Sequence, residues 1–290
     1  FTCASFFSRR ASAPGYLQLT ENSVNMDWLQ VVILAIVQGI TEFLPVSSSA
    51  HLILVPVLTD WPDQGLAFDV ALHLGSLSAV LIYFRSDILN MLQSWTRSLH
   101  TRQLDADAKL AWAVILGTIP VGLAGLLLKD TVETVLRSPV YLSIGLIGFG
   151  LLLGWADWRF RGSRSEYQMN WKDVLFIGCA QALALFPGTS RSGITMTAAL
   201  MLGPSREASA RFSFLLSIPV IVLACGLETI ELIKSQVAVD WLQMAAGVVL
   251  SGISAYLCIH YFLAFIKRIG MQPFVVYRIV LGALLLWIFL

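Results

Sequence analysis

Two short segments of the sequence place polar and charged residues inside apolar stretches. The segment LPVSSSAH (44–51) follows Glu42, and the segment FPGTSRSGIT (186–195) contains Arg191. An unpaired carboxylate or guanidinium in apolar surroundings is strongly destabilising, so such residues within a membrane are paired or functional. We therefore expect Glu42 and Arg191 to share one cavity, with each other and with a polar ligand.

The residue types in these segments suit phosphoryl chemistry. The planar guanidinium of Arg191 matches phosphate oxygens, and the turn 190–193 offers hydroxyls, N–H groups and the N-terminus of a following helix. A serine among residues 47–49 can act as nucleophile, with Glu42 or His51 as base or acid. A carboxylate beside a phosphate can also hold a divalent cation. A transporter of a phosphorylated lipid would use the same residues without cleaving a bond.

Structural roles are the alternatives for these residues. Glu42 and Arg191 can simply pair, and serines in membrane helices often satisfy only backbone groups. His51 can be a polar contact, and His73, near the start of a later apolar segment, is predicted to be structural. Arg278, near the cytoplasmic end of the last apolar segment, is predicted to extend its charged end to the membrane interface.

The composition excludes several classes of protein. Of 290 residues, 57% are hydrophobic and 13% are charged, whereas soluble domains carry about 25% charged residues. Nineteen Lys and Arg against eighteen Asp and Glu give no basic excess for nucleic acid. Four separated cysteines indicate neither a disulfide framework nor a zinc site. Residues 1–25 are polar, and Met26 resembles a natural start, so we interpret 1–25 as a disordered extension or a start-site artefact.

Six segments are long and apolar enough to span a bilayer, which takes about 20 residues. They are 66–84, 110–128, 139–156, 212–230, 242–264 and 273–290. Two other apolar stretches, 28–58 and 173–203, are broken midway by the two polar segments. Irregular backbone at membrane depth persists only inside protein or around a wet cavity. Both stretches are therefore predicted to be re-entrant helix–loop–helix hairpins in an all-α membrane protein.

The placement of cations tests the second hairpin. If 173–203 returns to the side it entered, one side of the membrane holds twelve cations and the other holds three; if it crosses, the counts become nine and six. The positive-inside rule favours the re-entrant arrangement and makes the cation-rich side cytoplasmic. The twelve are Arg85, Arg97, Arg102, Lys109, Arg159, Arg161, Arg164, Lys172, Arg206, Arg211, Lys267 and Arg268; the three are Lys129, Arg137 and Lys234. The loop 85–109 on the same side contains an amphipathic stretch, which is predicted to lie on the membrane surface.

A weak internal repeat relates the two hairpins. The pattern Gln-x4-Phe-Leu-Pro-x2-Ser at 38–48 matches Gln-x4-Phe-Pro-x2-Ser at 181–190 after a one-residue gap, with chance similarity as the alternative. Three spans separate the hairpins, so the repeat predicts that they enter from opposite faces. The result is an inverted topology with its site near the membrane midplane.

The segments QGITEFLPVSSSAH (38–51) and PGTSRSGIT (187–195) resemble the two signature motifs of the undecaprenyl-diphosphate phosphatase family, also called bacitracin resistance proteins. The ending PFVVYR (273–278) and the spacing over 26–290 resemble it too. The resemblance implies a single membrane domain over 26–290. That domain hydrolyses undecaprenyl diphosphate to undecaprenyl phosphate and inorganic phosphate, which recycles the lipid carrier of peptidoglycan synthesis and confers bacitracin resistance.

The resemblance also implies a location and partners. The protein is expected in the bacterial inner membrane among membrane lipids, with its site toward the periplasm and a homodimer as a candidate assembly. A divalent cation is implied, with Mg²⁺ first and Ca²⁺ as the alternative.

Roles carry over from the family residue by residue. Gln38 occupies a position that is Glu or Gln in the family, and because a carboxamide cannot act as a base, Glu42 is the only acid of the first motif. The implied catalytic residues are Glu42, Ser48, His51 and Arg191; the implied substrate-binding residues are Gln38, Ser47, Ser190, Ser192 and Thr195; and Glu42 is the implied metal ligand.

Overall fold

The computed structural model describes residues 26–59, 61–134, 139–235 and 239–289. These residues form eleven α-helices, and the only β-type pairing among them is a single bridge between Arg164 and Pro204. The helices are α1 (Trp28–Phe43), α2 (Ser48–Thr59), α3 (Gly65–Tyr83), α4 (Arg85–Thr101), α5 (Ala106–Thr134), α6 (Pro139–Arg159), α7 (Trp171–Ala182), α8 (Arg191–Met201), α9 (Arg206–Ser235), α10 (Trp241–Arg268) and α11 (Gln272–Phe289). The interpreted extension, 1–25, lies outside the described residues, and the single domain over 26–290 stays a prediction.

Six helices are long and apolar enough to cross a membrane: α3, α5, α6, α9, α10 and α11. They coincide with the six predicted spans. Their outward faces expose large apolar side chains, among them Leu127, Trp241 and Trp287. Apolar exposure on this scale indicates contact with lipid rather than water. The prediction of an all-α integral membrane protein is confirmed.

The first predicted hairpin is formed by α1 and α2. Helix α1 has 16 residues, about 24 Å, which is too short to cross the hydrocarbon core. It ends at Phe43 because Pro45 disfavours helical backbone at Leu44, and α2 begins at Ser48. The Gln30 side chain donates to the carbonyl of Pro62, beyond α2, at 2.8 Å. The two ends of this hairpin therefore lie at the same end of the helix bundle.

The second hairpin consists of α7, a 3₁₀ turn (Leu183–Leu185), a loop and α8. Asn170 begins α7 by accepting the N–H groups of Lys172 and Asp173. Arg164 ties the two ends together, since its Nη2 contacts Asp173 at the start of α7 and its Nη1 donates to the carbonyl of Leu202, just after α8, at 2.9 Å. This hairpin returns to the end it started from, as the re-entrant prediction requires.

The base of each hairpin is the place where its two ends lie together. The bases of the two hairpins lie at opposite ends of α10. Gln243, in the first turn of α10, donates to the carbonyl of Met26 beside α1 at 2.8 Å. Lys267, in its last turn, pairs with Glu207 of α9 at 2.8 Å, next to the base of the second hairpin. This arrangement is what an inverted topology requires, while the internal repeat itself stays a prediction.

Ion pairs concentrate at the end that holds the base of the second hairpin. Among the described residues they are Arg164–Asp173, Arg206–Asp157, Arg211–Glu166, Arg211–Asp87 and Lys267–Glu207. Every cation in these pairs belongs to the predicted cytoplasmic set. Helix α4 occupies the predicted amphipathic stretch at this end and exposes Leu89, Leu92 and Leu99 on one side. Its location on a membrane surface stays a prediction.

Tight packing of α10 brings α1 and α3 together. A Cβ atom at Gly39 of α1 would lie 2.4 Å from the carbonyl oxygen of Ser251, and one at Gly75 of α3 would lie 2.4 Å from that of Val248. Only a residue without a side chain allows these approaches. As a result, Glu42 on α1 and His73 on α3 face the same space.

Candidate active site

The loops of the two hairpins meet inside the protein. The Ser192 hydroxyl at the start of α8 donates to the carbonyl of Leu44 in the first loop at 2.9 Å. Nearby, Nη2 of Arg191 lies 2.8 Å from Oε1 of Glu42, although 149 residues separate the two in sequence. The structure thus brings together the two charged residues that the sequence places in separate broken segments.

The carboxylate of Glu42 is buried but well supplied with donors. Its Oε1 accepts from Arg191, and its Oε2 accepts from the Ser48 hydroxyl at 2.8 Å and from the Gln38 amide at 3.0 Å. Nε2 of His73 lies 3.8 Å from the same oxygen. Opposite charge and hydrogen bonds from both hairpins therefore compensate the burial of this group.

The second helix of each hairpin, α2 or α8, is here called the inner helix, and each one begins after a serine with left-handed backbone. Ser47 precedes α2 with φ 75°, and Ser190 precedes α8 with φ 68°. The structure therefore matches Ser47 with Ser190 and Ser48 with Arg191, one residue away from the sequence match of Ser48 with Ser190, because the second loop has one more residue after its proline. The first residue of each inner helix then contacts Glu42. Such backbone costs about 1–3 kcal/mol per residue and recurs at functional sites.

A cavity of about 230 Å³ opens beside this cluster. Its polar end is lined by Glu42, Ser47, Ser48, Ser49, His73, Ser190 and Arg191. Its walls come from α5, α9 and residues 184–188 of the second hairpin and are mostly apolar; those on α5 and α9 include Val121, Gly122, Leu126, Ile221, Leu223 and Leu227. A small polar pocket continuous with an apolar cleft fits a ligand with an anionic head and an apolar chain.

Three of the candidate residues lie behind the cavity and support it. Gln38 is fully buried and contacts Glu42. Thr195 donates to the carbonyl of Arg191 at 2.9 Å and lies 2.7 Å from the hydroxyl of Ser213, while Ser192 bonds to the first loop. These contacts fix the first turn of α8 and hold Arg191 in place.

His51 also lies outside the cavity lining. Its Nδ1 is 2.8 Å from the carbonyl oxygen of Ser47, its Nε2 contacts the hydroxyl of Tyr277, and the two rings stack with centroids 5.6 Å apart. Neither ring nitrogen is directed at Glu42 or Ser48. The sequence signal for Tyr277 is the PFVVYR segment (273–278), to which the family resemblance assigns no role.

Comparison with known proteins decides the family. The family model for bacitracin resistance protein BacA matches residues 31–284. The chain belongs to the BacA family. It is 62% identical over 267 residues to undecaprenyl-diphosphatase 2 of Stutzerimonas stutzeri, covering 91% of this chain and 99% of that protein. It is 57% identical over 264 residues to the undecaprenyl-diphosphatase of Nitrosococcus oceani, covering 91% and 100%. The resemblance stated from the two motifs is confirmed.

Two residues of this BacA-family chain differ from their predicted roles. Arg278 does not extend to the membrane interface: it is fully buried, and its guanidinium donates to backbone carbonyls of both hairpin loops. The position of Arg278 near the end of an apolar segment does not indicate which side of the helix carries it, and that side faces the protein interior. His73, predicted to be structural, lines the cavity and faces Glu42, although its Nδ1 also contacts the carbonyl of Asp69.

The side chains available as metal ligands in the cavity limit the kind of metal site that this BacA-family chain can form there. Among the described residues, no group of three His, Cys, Asp or Glu side chains is placed to hold a metal ion. Glu42 is the only carboxylate among the described residues that line the cavity, and both of its oxygens already accept hydrogen bonds. This set fits a cation such as Mg²⁺, which proteins often bind through a single carboxylate together with substrate phosphates.

Proposed function

We propose that this chain hydrolyses undecaprenyl diphosphate to undecaprenyl phosphate and inorganic phosphate in the bacterial inner membrane. It thereby recycles the lipid carrier of peptidoglycan synthesis and confers resistance to bacitracin. The observation that carries the proposal is the Glu42–Arg191 pair, with Ser48, at the polar end of a cavity with apolar walls. The names of the relatives support the same substrate.

Arg191 and the start of α8 bind the diphosphate. The guanidinium lines the cavity, and Ser190 beside it caps α8 by accepting the N–H of Gly193 at 3.2 Å. A helix N-terminus and a forked cation together favour phosphate oxygens. A bound diphosphate competes with Glu42 for Arg191. Substrate binding therefore weakens the ion pair and frees the carboxylate to accept a proton.

Ser48 is the candidate nucleophile, and a water oriented by Ser48 is the alternative. The Ser48 hydroxyl already donates to Glu42 at 2.8 Å. As its oxygen bonds to the terminal phosphorus, the proton passes to Glu42. The bond from that phosphorus to the bridging oxygen breaks, and the bridging oxygen keeps the electron pair and leaves with undecaprenyl phosphate. Water then hydrolyses the phosphoserine and restores Ser48. In the alternative, the same carboxylate accepts the proton of the water.

Glu42 would be the protein ligand of a divalent cation, Mg²⁺ or alternatively Ca²⁺, that enters with the diphosphate. The chemistry such an ion would supply is neutralisation of charge on the phosphoryl oxygens. Chelator is expected to abolish phosphate release, and added Mg²⁺ should restore it. Activity that persists unchanged in excess chelator would contradict this part of the proposal.

The orientation of the cavity supports a site toward the periplasm. Its lining residues on α5 lie within 118–126, and those on α9 lie within 220–227. Both helices begin at the cation-rich end, at Ala106 and Arg206, so most of these residues lie in the halves farther from it. If the cation-rich end is cytoplasmic, the cavity belongs to the outer half of the membrane.

Replacing Ser48 with alanine is expected to reduce phosphate release by roughly 10²-fold or more, because the nucleophile, or the group that orients a water, is lost. Ser49→Ala is the matched control, since Ser49 also lines the cavity but is exposed, and its hydroxyl lies 3.2 Å from that of Ser47. Initial rates on detergent-solubilised substrate measure both variants. Near-normal activity of Ser48→Ala would assign the attack to a water placed by other groups.

The prenyl chain is proposed to pass between α5 and α9. A Cβ atom at Gly122, in the cavity wall, would meet nothing within 4 Å, so a larger side chain fits there without disturbing the helix. Gly122→Leu is expected to raise KM for undecaprenyl diphosphate by about tenfold and to affect a short prenyl diphosphate less. Gly148→Leu is the control, because Gly148 is also in open space but outside the cavity lining. Equal effects of the two variants would remove α5 and α9 from the path of the chain.

Phosphate release by the purified protein tests the whole proposal. A colorimetric phosphate assay on undecaprenyl diphosphate should show turnover that requires Glu42 and Arg191. The second candidate is a transporter of a polyprenyl phosphate carrier, which the opposite bases of the two hairpins favour. A protein that moves the labelled lipid between leaflets of vesicles without releasing phosphate would replace the phosphatase with the transporter. Neither outcome depends on whether the protein forms the candidate homodimer.

A further inference from the structure

The side chain of Arg278 occupies an unusual environment. It is fully buried, and the described ion pairs include none with this residue. Its guanidinium instead donates to five backbone carbonyls. These belong to Pro45 (3.1 Å), Gly145 (3.3 Å), Leu146 (3.2 Å), Gly188 (2.8 Å) and Thr189 (2.9 Å).

The five carbonyls come from three separate elements. One belongs to the loop of the first hairpin, two belong to the loop of the second hairpin, and two belong to α6. Carbonyls in the two broken segments lose their helical N–H partners, and an unsatisfied carbonyl in an apolar interior is costly, whereas Gly145 and Leu146 lie within the continuous helix α6. Several donors fixed in one plane can satisfy the loop carbonyls and bond to α6 at the same time. Arg278 therefore joins the two loops to each other and to α6.

Glycines leave space for this guanidinium. A Cβ atom at Gly193 would lie 2.9 Å from Nη1 of Arg278, and one at Gly150 would lie 3.3 Å from its Nε. The second loop approaches α6 equally closely, since a Cβ atom at Gly145 would lie 2.0 Å from the carbonyl oxygen of Pro187. With this little free space, the guanidinium has a single position.

The carbonyls that Arg278 holds are next to the residues that act on substrate. Pro45 lies midway between Glu42 and Ser48, and Thr189 lies two residues before Arg191. Arg278 itself is not among the residues that line the cavity. We infer that Arg278 is a positioning residue, which fixes the two loops relative to each other so that Glu42 and Ser48 face Arg191. This inference rests on the proposed phosphatase function.

The test compares Arg278→Lys with Arg164→Lys. Lysine keeps the charge, but its ammonium group is a compact donor that cannot span three elements. Arg164 is the matched control because it also donates to carbonyls, those of Leu202 and Gln168, but at the base of the second hairpin and away from the cavity. For folded, monodisperse protein, Arg278→Lys should lower kcat by about 10²-fold with KM within about threefold, since misplacement by about 1 Å has an effect of that size. Arg164→Lys should leave kcat within about twofold.

Hydrogen exchange separates this inference from the proposed function. Arg278→Lys should raise amide exchange in residues 44–48 and 187–191 by about tenfold, whereas Arg164→Lys should leave both loops unchanged. Unchanged exchange in both loops, or a kcat for Arg278→Lys within about twofold of the parent, would overturn the positioning role. If the parent protein releases no phosphate, the proposed function fails, and the exchange measurement still tests how Arg278 holds the loops.

Discussion

Replacing Glu42 with glutamine is expected to reduce phosphate release by roughly 10²–10⁴-fold, because the variant loses the proton acceptor for the attacking oxygen. The amide has nearly the same size, so the cavity keeps its shape. The proposed ligand of the divalent cation is weakened by the same change. Initial rates of phosphate release at saturating substrate and Mg²⁺ measure the effect.

The control for Glu42 is Glu166→Gln. Glu166 is also a buried carboxylate paired with an arginine, with Oε1 2.6 Å from Nε of Arg211, but it lies at the cation-rich end. Breaking a buried pair from one side costs about 3–5 kcal/mol, so both variants should be less stable. Only Glu42→Gln should lose activity per folded molecule. Equal activity of the two variants would remove Glu42 from the chemistry.

Replacing Arg191 with lysine is expected to reduce kcat/KM by roughly 10²–10³-fold, the usual effect of removing one fixed donor to a developing oxyanion. The ammonium group keeps the charge but loses the fork that contacts Glu42 and the carbonyl of Ser213. Binding and catalysis should both weaken, because the same group holds the diphosphate in the ground state and in the transition state. Steady-state kinetics on detergent-solubilised substrate separate kcat from KM.

Arg206→Lys is the matched control for Arg191. Arg206 also contacts a carboxylate, that of Asp157, through two nitrogens, but it lies at the base of the second hairpin. This variant should lower thermal stability and leave kcat/KM within about threefold of the parent. A near-normal rate for Arg191→Lys would mean that α8 binds the substrate through its backbone and serines alone.

The sequence was sufficient for the parts of the fold that depend on apolar length and helix breaks. The six spans follow from hydropathy, and the hairpins follow from Pro45 and Pro187 with the serines beside them. The pairing of Glu42 with Arg191 also follows, because a buried charge requires a partner. For each of these features, a local property of the chain determines the structure.

Other features of the site depend on which side of a helix faces the interior. Arg278 is buried because of the rotation of α11 against α6, which hydropathy does not report. His73 faces Glu42 only because α10 packs closely on both α1 and α3. The match of Ser48 with Arg191 follows from the extra residue in the second loop, which a similarity of motifs does not resolve. Only the three-dimensional contacts reveal the burial of Arg278, the orientation of His73 and the match of Ser48 with Arg191.

The dependence of both loops on Arg278 has a consequence for biosynthesis. Helix α11 follows both hairpins in the chain, so Arg278 is made after every other residue of the site. Until α11 has joined the bundle, the broken segments of both hairpins lack the donors that hold their carbonyls in place. Under the proposed function, the nascent protein contains its reactive groups without a working arrangement of them, and insertion of α11 completes the proposed catalytic centre.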